Sequence, residues 1–119
     1  MRRARLQKRA RLLKAAEFNR VFNKARRSAD QYFTVLARPN DKDLPRLGLA
    51  ISKKRVTLAV TRNRIKRVIR EGFRHKQHGL FCADYVVMAG HQCSKTNNRR
   101  LFRSLEKHWQ KLNKLCAKS

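Results

Sequence analysis

From Thr61 the chain reads Thr61-Arg62-Asn63-Arg64-Ile65-Lys66-Arg67-Val68-Ile69-Arg70-Glu71-Gly72-Phe73-Arg74, a run of cations interleaved with apolar residues and interrupted by one acid, Glu71. Guanidinium groups carry planar donor forks that match phosphate oxygens, and the Asn63 amide both donates and accepts. A helix advances about 100° per residue. Leu58, Ile65, Val68, Ile69, Gly72 and Phe73 then gather on one side, with Asn63, Lys66, Arg67, Arg70 and Arg74 opposite. A merely solvated face normally mixes its signs through Glu/Lys pairs four residues apart. The absence of that mixture predicts one face for packing and one for nucleic-acid phosphates, although Arg-Asn-Arg alone is a common string in basic proteins.

The whole chain repeats this bias. It has 32 Lys and Arg against 7 Asp and Glu over 119 residues, a formal charge of +25. Self-repulsion on that scale disfavours a compact state without counterions, and phosphate binding would release counterions, so affinity should fall steeply with salt. A hydrophobic fraction of 41% suffices for one modest core and argues against a wholly disordered basic tail. Arg and Lys supply half of residues 1–14, with no acid among them, which reads as a phosphate-contacting arm ahead of a single domain over 15–116.

Other chemistries find little support. No glycine-rich phosphate loop, H-E-x-x-H, G-x-S-x-G or paired-carboxylate motif is present, and scattered acids do not suit a two-metal nuclease centre. Cys82, Cys93 and Cys116 lack C-x-x-C spacing and are expected as reduced thiols. His75 and His78 with Cys82 and Cys93 match no standard zinc module, and His91 and His108 are expected at the surface or its boundary. There is neither a secretory signal nor an apolar run of about 18 residues, so a cytoplasmic protein without membrane contact is expected.

The elements that must position the basic run follow from periodicity. Phe18, Val21, Phe22 and Ala25 mark a first helix from about Ala15 to Arg26. Tyr32 to Ala37 alternates as a strand, Arg38 to Asp43 forms a polar connection, and a hairpin then leads to a strand from Arg46 to about Lys53. In that strand Gly48, Ala50 and Ser52 make a small face that something can approach closely. Thr57 is the expected cap of the basic helix, which runs to about Lys76. Asp84 to Ala89 is the last strand, and Asn97 or Asn98 caps a final helix carrying Leu101, Phe102, Leu105, Trp109, Leu112 and Cys116. The order αββαβα implies a small mixed sheet with a parallel crossover pair.

Phe18 and Phe22, one turn apart, read as core residues on composition alone. Bordering an open groove, they and Tyr32 would instead be placed to stack on single-stranded bases. The arrangement Arg11-Leu12, Glu17-Phe18, Val21-Phe22, Pro45-Arg46-Leu47-Gly48-Leu49, Ile51-Ser52-Lys53-Lys54 and Ala59-Val60-Thr61-Arg62-Asn63-Arg64-Ile65-Lys66-Arg67, continued by Asp84-Tyr85-Val86-Val87, resembles the bacterial ribonuclease P protein family over nearly the whole chain. The block from Lys53-Lys54 to Lys66-Arg67 is the most specific part of the likeness.

That resemblance implies an α+β fold, the α/β sandwich of the ribosomal-protein-S5-domain-2-like type, with a left-handed βαβ crossover that breaks the usual right-handed preference. It also implies a helper role. The family's RNA subunit cleaves precursor transfer RNA to remove the 5′ leader, no catalytic residue belongs to the protein, and Mg2+ is held chiefly by the RNA subunit and substrate. By the same likeness Phe18, Phe22, Tyr32, Ser52, Lys53 and Lys54 fall to the leader. Arg11, Arg62, Asn63, Arg64, Lys66, Arg67, Arg70 and Arg74 fall to RNA binding, mainly of the RNA subunit. The chain departs from the family at Thr57, where members often carry Gly, and at Leu36, where some carry a tyrosine. A structural ribosomal protein has the same charge and size, and a DNA-compacting protein is disfavoured because no groove-reading motif is present.

Overall fold

The computed structural model of the protein describes residues 6–118. After a short turn at Lys8–Ala10 come α1 (Ala15–Asn23), β1 (Arg26–Ala29), β2 (Phe33–Pro39), β3 (Arg46–Leu49), α2 (Ala59–Lys76), β4 (Ala83–Ala89) and α3 (Asn98–Ala117). The sheet runs β1-β2-β4-β3, with β2 antiparallel to both neighbours and β3 parallel to β4. The fold is α+β, and α2 is the crossover helix of the parallel pair.

Alternation along β2 sends Phe33, Val35 and Ala37 to one face, where Ile65, Val68, Ile69 and Phe73 of α2 and Leu101, Leu105 and Leu112 of α3 meet them in a continuous core. Phe73, Tyr85 and Trp109 lie edge to face in all three pairings, each 5.8 Å between ring centres. Leu36 and Val86 point to the opposite face, where α1 places Val21 over them beside Leu12. Both faces of β2 are therefore covered in part.

Several boundaries differ from the sequence reading. The first helix stops at Asn23, and Arg26–Ala29 forms the edge strand β1, hairpinned to β2. Its turn is set by Asp30, whose Oδ1 accepts from the Tyr32 and Phe33 amides at 2.9 Å. Arg-Arg-Ser-Ala carries no apolar alternation, and only Ser28 of it is buried, so its strand character was invisible. The hairpin expected between β2 and β3 is absent because β4 lies between them. β3 ends at Leu49, although the Ala50 amide still reaches the Val87 carbonyl at 3.0 Å. Leu58, not Thr57, holds the cap position of α2, and it is 65% exposed rather than packed. Asn97 does cap α3, accepting from the Arg100 amide at 3.0 Å.

The folded unit reaches back before residue 15. Leu6, Ala10 and Leu12 are buried, and the Leu12 amide donates to the Leu47 carbonyl at 2.9 Å, laying this segment along the free edge of β3. Residues 1–5 of the expected arm lie outside the described residues. His108 is buried, unlike the expectation, because its Nδ1 meets the Ser28 hydroxyl at 2.6 Å and its Nε2 lies 3.3 Å from Asp30. The three cysteines are free. Burial pushes the Cys93 thiol up to about 12, where it is an inert donor to the Tyr32 carbonyl.

Candidate nucleic-acid interface

Strand register explains the groove. On the α1 side of the sheet, Gly48, Val86 and Leu36 form one cross-strand row, and Met88 and Thr34 begin the next, with Ala50 continuing it past the end of β3. Helix α1 covers the first row. The second stays open as a trough of about 380 Å³ whose lining includes Tyr32, Thr34, Ala50, Ser52, Arg55 and Met88. The small face of β3 is what lets α1 sit so close, since a Cβ on Gly48 would come within 2.6 Å of Phe18 Cε1 and 3.0 Å of Leu12 Cβ. Gly48→Ala is expected to turn the Phe18 ring out of its seat and cost about 1 kcal/mol, at the low end for overpacking because a ring edge can swing. A urea melt measures this, and an unchanged midpoint would contradict it.

Phe18 is half-buried, whereas Phe22, one turn along the same flank, is 48% exposed. The sequence choice between core and groove thus resolves differently for the two rings. Phe18 also lines a smaller recess of about 210 Å³ together with Leu49, Arg11, Lys66 and Arg70. No acid borders that recess. Burial, and then Arg11 beside it, lower the Arg70 guanidinium below its ordinary value. Cations pressed together beside an aromatic ring suit an anionic strand whose bases stack while its phosphates are held.

An ion-pair network fixes α1 over the sheet. Asp84 of β4 is fully buried and takes both Arg46 Nε (2.8 Å) and Nη2 (2.7 Å), with Asn40 Nδ2 at 2.9 Å and Arg20 Nη1 of α1 at 3.4 Å. Arg46 also reaches Glu17 at 3.0 Å, and Glu17 caps α1 by accepting from the Leu13 and Lys14 amides at 2.9 Å. Burial works to raise the Asp84 carboxyl, but Arg46, Asn40 and Arg20 outweigh it and hold it below its ordinary value. The Lys14 and Leu13 amides lower Glu17 in the same way. Folded-state values below the unfolded ones mean that the unfolded chain binds protons first. Stability from both groups should be complete at neutral pH and fall as pH drops below about 4. Urea midpoints at pH 7 and pH 3 check this, and equal midpoints would contradict it.

The predicted binding residues divide by location. On α2, Asn63, Arg67 and Arg70 are exposed and Lys66 is partly so, forming the basic outer face. Arg62 and Arg64 are different, because both already donate hydrogen bonds within the fold. Arg62 Nη1 donates to the Val56 and Thr57 carbonyls at 2.8 and 2.9 Å, closing the loop before α2. Arg64 reaches Asn98 Oδ1 at 2.5 Å and the Cys93 carbonyl at 3.2 Å, tying α2 to the start of α3. Arg64 therefore does not offer the free fork expected of the triplet, whereas Arg62 keeps its Nε and Nη2 edge unengaged among the described residues. Arg74 pairs with Glu71 at 3.3 Å.

Lys53 and Lys54 are exposed in the turn after β3, and the Ser52 hydroxyl accepts from the Arg55 amide at 3.2 Å to hold that turn. Tyr32 packs instead against the α2/α3 core, and its hydroxyl is held below the ordinary tyrosine range by Thr96 first, with Gln31 and Arg100 beside it. Tyr32 also lines the trough, whereas Phe18 lies at the smaller recess. Sequence reasoning missed Thr34, Met88 and Arg55 as groove residues, and the only signal for them was the row of small residues on β3. Among the described residues no three of His, Cys, Asp and Glu converge as a metal set, and no helix is long and apolar enough to cross a membrane.

Residues 6–113 match the family model described as Ribonuclease P. The chain is 51% identical over 109 residues to the "Ribonuclease P protein component" of Methylococcus capsulatus, covering 92% of this chain and 85% of that one. It is 46% identical to the protein of the same name from Photobacterium profundum, covering 88% and 89%. Among solved structures, the Staphylococcus aureus RNase P protein superposes with a TM-score of 0.77 at 38% identity, over 86% of this chain and 93% of that one. The Thermotoga maritima RNase P protein gives 0.74 at 27% identity, over 92% and 97%.

Proposed function

Because the chain belongs to the ribonuclease P protein family, as a subunit of the endoribonuclease that matures the 5′ end of transfer RNA, we propose that it holds the leader of precursor transfer RNA in the groove beside α1 while α2 docks on the RNA subunit. The observation that carries this reading is the recess where Phe18 meets Arg11, Lys66 and Arg70. It offers a stacking ring and cations without an acid, a combination suited to a single strand and indifferent to its sequence.

Division of labour follows the geometry. Phe18 and the exposed Phe22 stack on leader bases, while Lys53 and Lys54 on the adjoining turn meet its phosphates. Asn63, Arg67 and the outer side of Arg70 contact the RNA subunit. Arg62 and Arg64 hold α2 in place, and Tyr32 meets the leader at the hairpin end of the trough. Mg2+ is assigned to the RNA subunit and substrate, as the family likeness implies. The protein's contribution is positioning and charge neutralisation, which would let phosphate-bound Mg2+ act at lower concentration. Its place is the cytoplasm, where transcripts are processed.

Affinity for precursors with and without a leader tests this reading. The leader-bearing molecule should bind the protein–RNA complex at least ten-fold more tightly, and equal affinities would contradict the groove assignment. Arg67→Gln with Arg70→Gln should weaken binding to the RNA subunit and reduce the slope of log affinity against log salt by about 2. An unchanged slope would remove α2 from that contact.

A further inference from the structure

We propose that the outer face of α3 is a second RNA-docking surface, taking the phosphate backbone of a double-helical segment of the RNA subunit. The observation is a stripe of cations with no partner. At 100° per residue Arg103, Lys107, Lys111 and Lys114 lie on one side of α3, opposite the buried Leu101, Leu105, Trp109 and Leu112. All four are exposed, and among the described residues none of them meets a carboxylate or any other fixed group. The stripe spans about 17 Å at 1.5 Å rise per residue.

This face is separate from that of α2. Gly72 of α2 packs on Leu105 and Phe102 of α3, and the acids of the two helices lie along that junction. Glu106 pairs with Lys76 at 3.3 Å across it, and Glu71, seven residues after the Arg64 that reaches α3, lies on the same side of α2. Arg67 and Arg70 of α2 face away from this junction on one flank and the α3 stripe on the other, beside β1. At the far margin Asp30 makes no ion pair with the stripe among the described residues, its oxygens accepting instead from Ser104 and from the Tyr32 and Phe33 amides.

Local helix physics disfavours such a stripe. Arg103, Lys107 and Lys111 repel one another at i, i+4 spacing, and the first turn carries no acid to complement the helix dipole. A helix that retains this conflict is suited to a polyanion. The stripe contains no aromatic residue, so it has nothing on which to stack an unpaired base, and its chemistry fits the backbone of a duplex. The RNA subunit is the occupant because the outer face of α2, on the same helical layer, is already assigned to it. That last step rests on the proposed function.

The test is R103Q/K107Q/K111Q in the full chain, titrated with the RNA subunit, with precursor transfer RNA alone and with a blunt RNA duplex over a series of salt concentrations. Expected is a loss of at least ten-fold in affinity for the RNA subunit and the duplex, with a salt slope smaller by about 2 to 3, and an unchanged preference for leader-bearing substrate. Unchanged affinity and slope for the RNA subunit would overturn the proposal, as would a loss confined to precursor transfer RNA. Loss of leader preference in the unmodified protein would sink the groove reading yet leave the duplex result standing. K107Q and K111Q alone, each expected to lose two- to three-fold, carry the test if the triple variant does not fold, and no loss in either overturns it.

Discussion

Alanine at Phe22 is expected to weaken binding of leader-bearing precursor transfer RNA by about ten-fold or more, since base–aromatic stacking is worth about 1–3 kcal/mol per base. Mature transfer RNA should bind as before. Phe22 is the cleaner position because its ring is 48% exposed and contributes little to the fold. Phe18→Ala removes a ring seated on Gly48 and should lower stability as well as leader affinity. Binding assays with the two RNAs separate the outcomes: equal losses for precursor and mature forms would show that Phe22 does not meet the leader.

The second large effect concerns Asp84. Replacing it by alanine leaves Arg46 beside an empty buried position and releases Arg20 of α1, and breaking a buried pair from one side costs about 3–5 kcal/mol. That is a large part of the stability of an ordinary domain. A urea melt should show it directly. A loss below about 1 kcal/mol would mean that water takes over the role of Asp84 and that α1 does not depend on this network.

Much of this architecture was legible because it rests on periodicity. The α2 seam of Ile65, Val68, Ile69 and Phe73 is buried as its spacing required, and so are Leu101, Leu105, Trp109, Leu112 and Cys116 of α3, with Phe102 partly buried. Strand β1 was not legible, because a four-residue edge strand of Arg-Arg-Ser-Ala has no apolar alternation and is held in part by His108 on Ser28, a contact made from far along the chain. The absent β2–β3 hairpin has a similar cause: nothing local says that β4 will insert between those strands. At the interface, residue type indicated cations and rings, whereas burial separated Phe22 from Phe18 and hydrogen bonding separated Asn63 from Arg62 and Arg64. The small residues Gly48 and Ala50 carried the remaining signal, since they specify how closely α1 approaches and where it leaves the sheet open.

The central claim, that this protein lets the RNA subunit act on leader-bearing substrate, is tested most directly by cleavage of a precursor transfer RNA by a bacterial ribonuclease P RNA at low Mg2+, with and without the protein. Substantial stimulation that is diminished for a precursor with a shortened leader is the predicted result. Equal cleavage with and without folded, nuclease-free protein would contradict it.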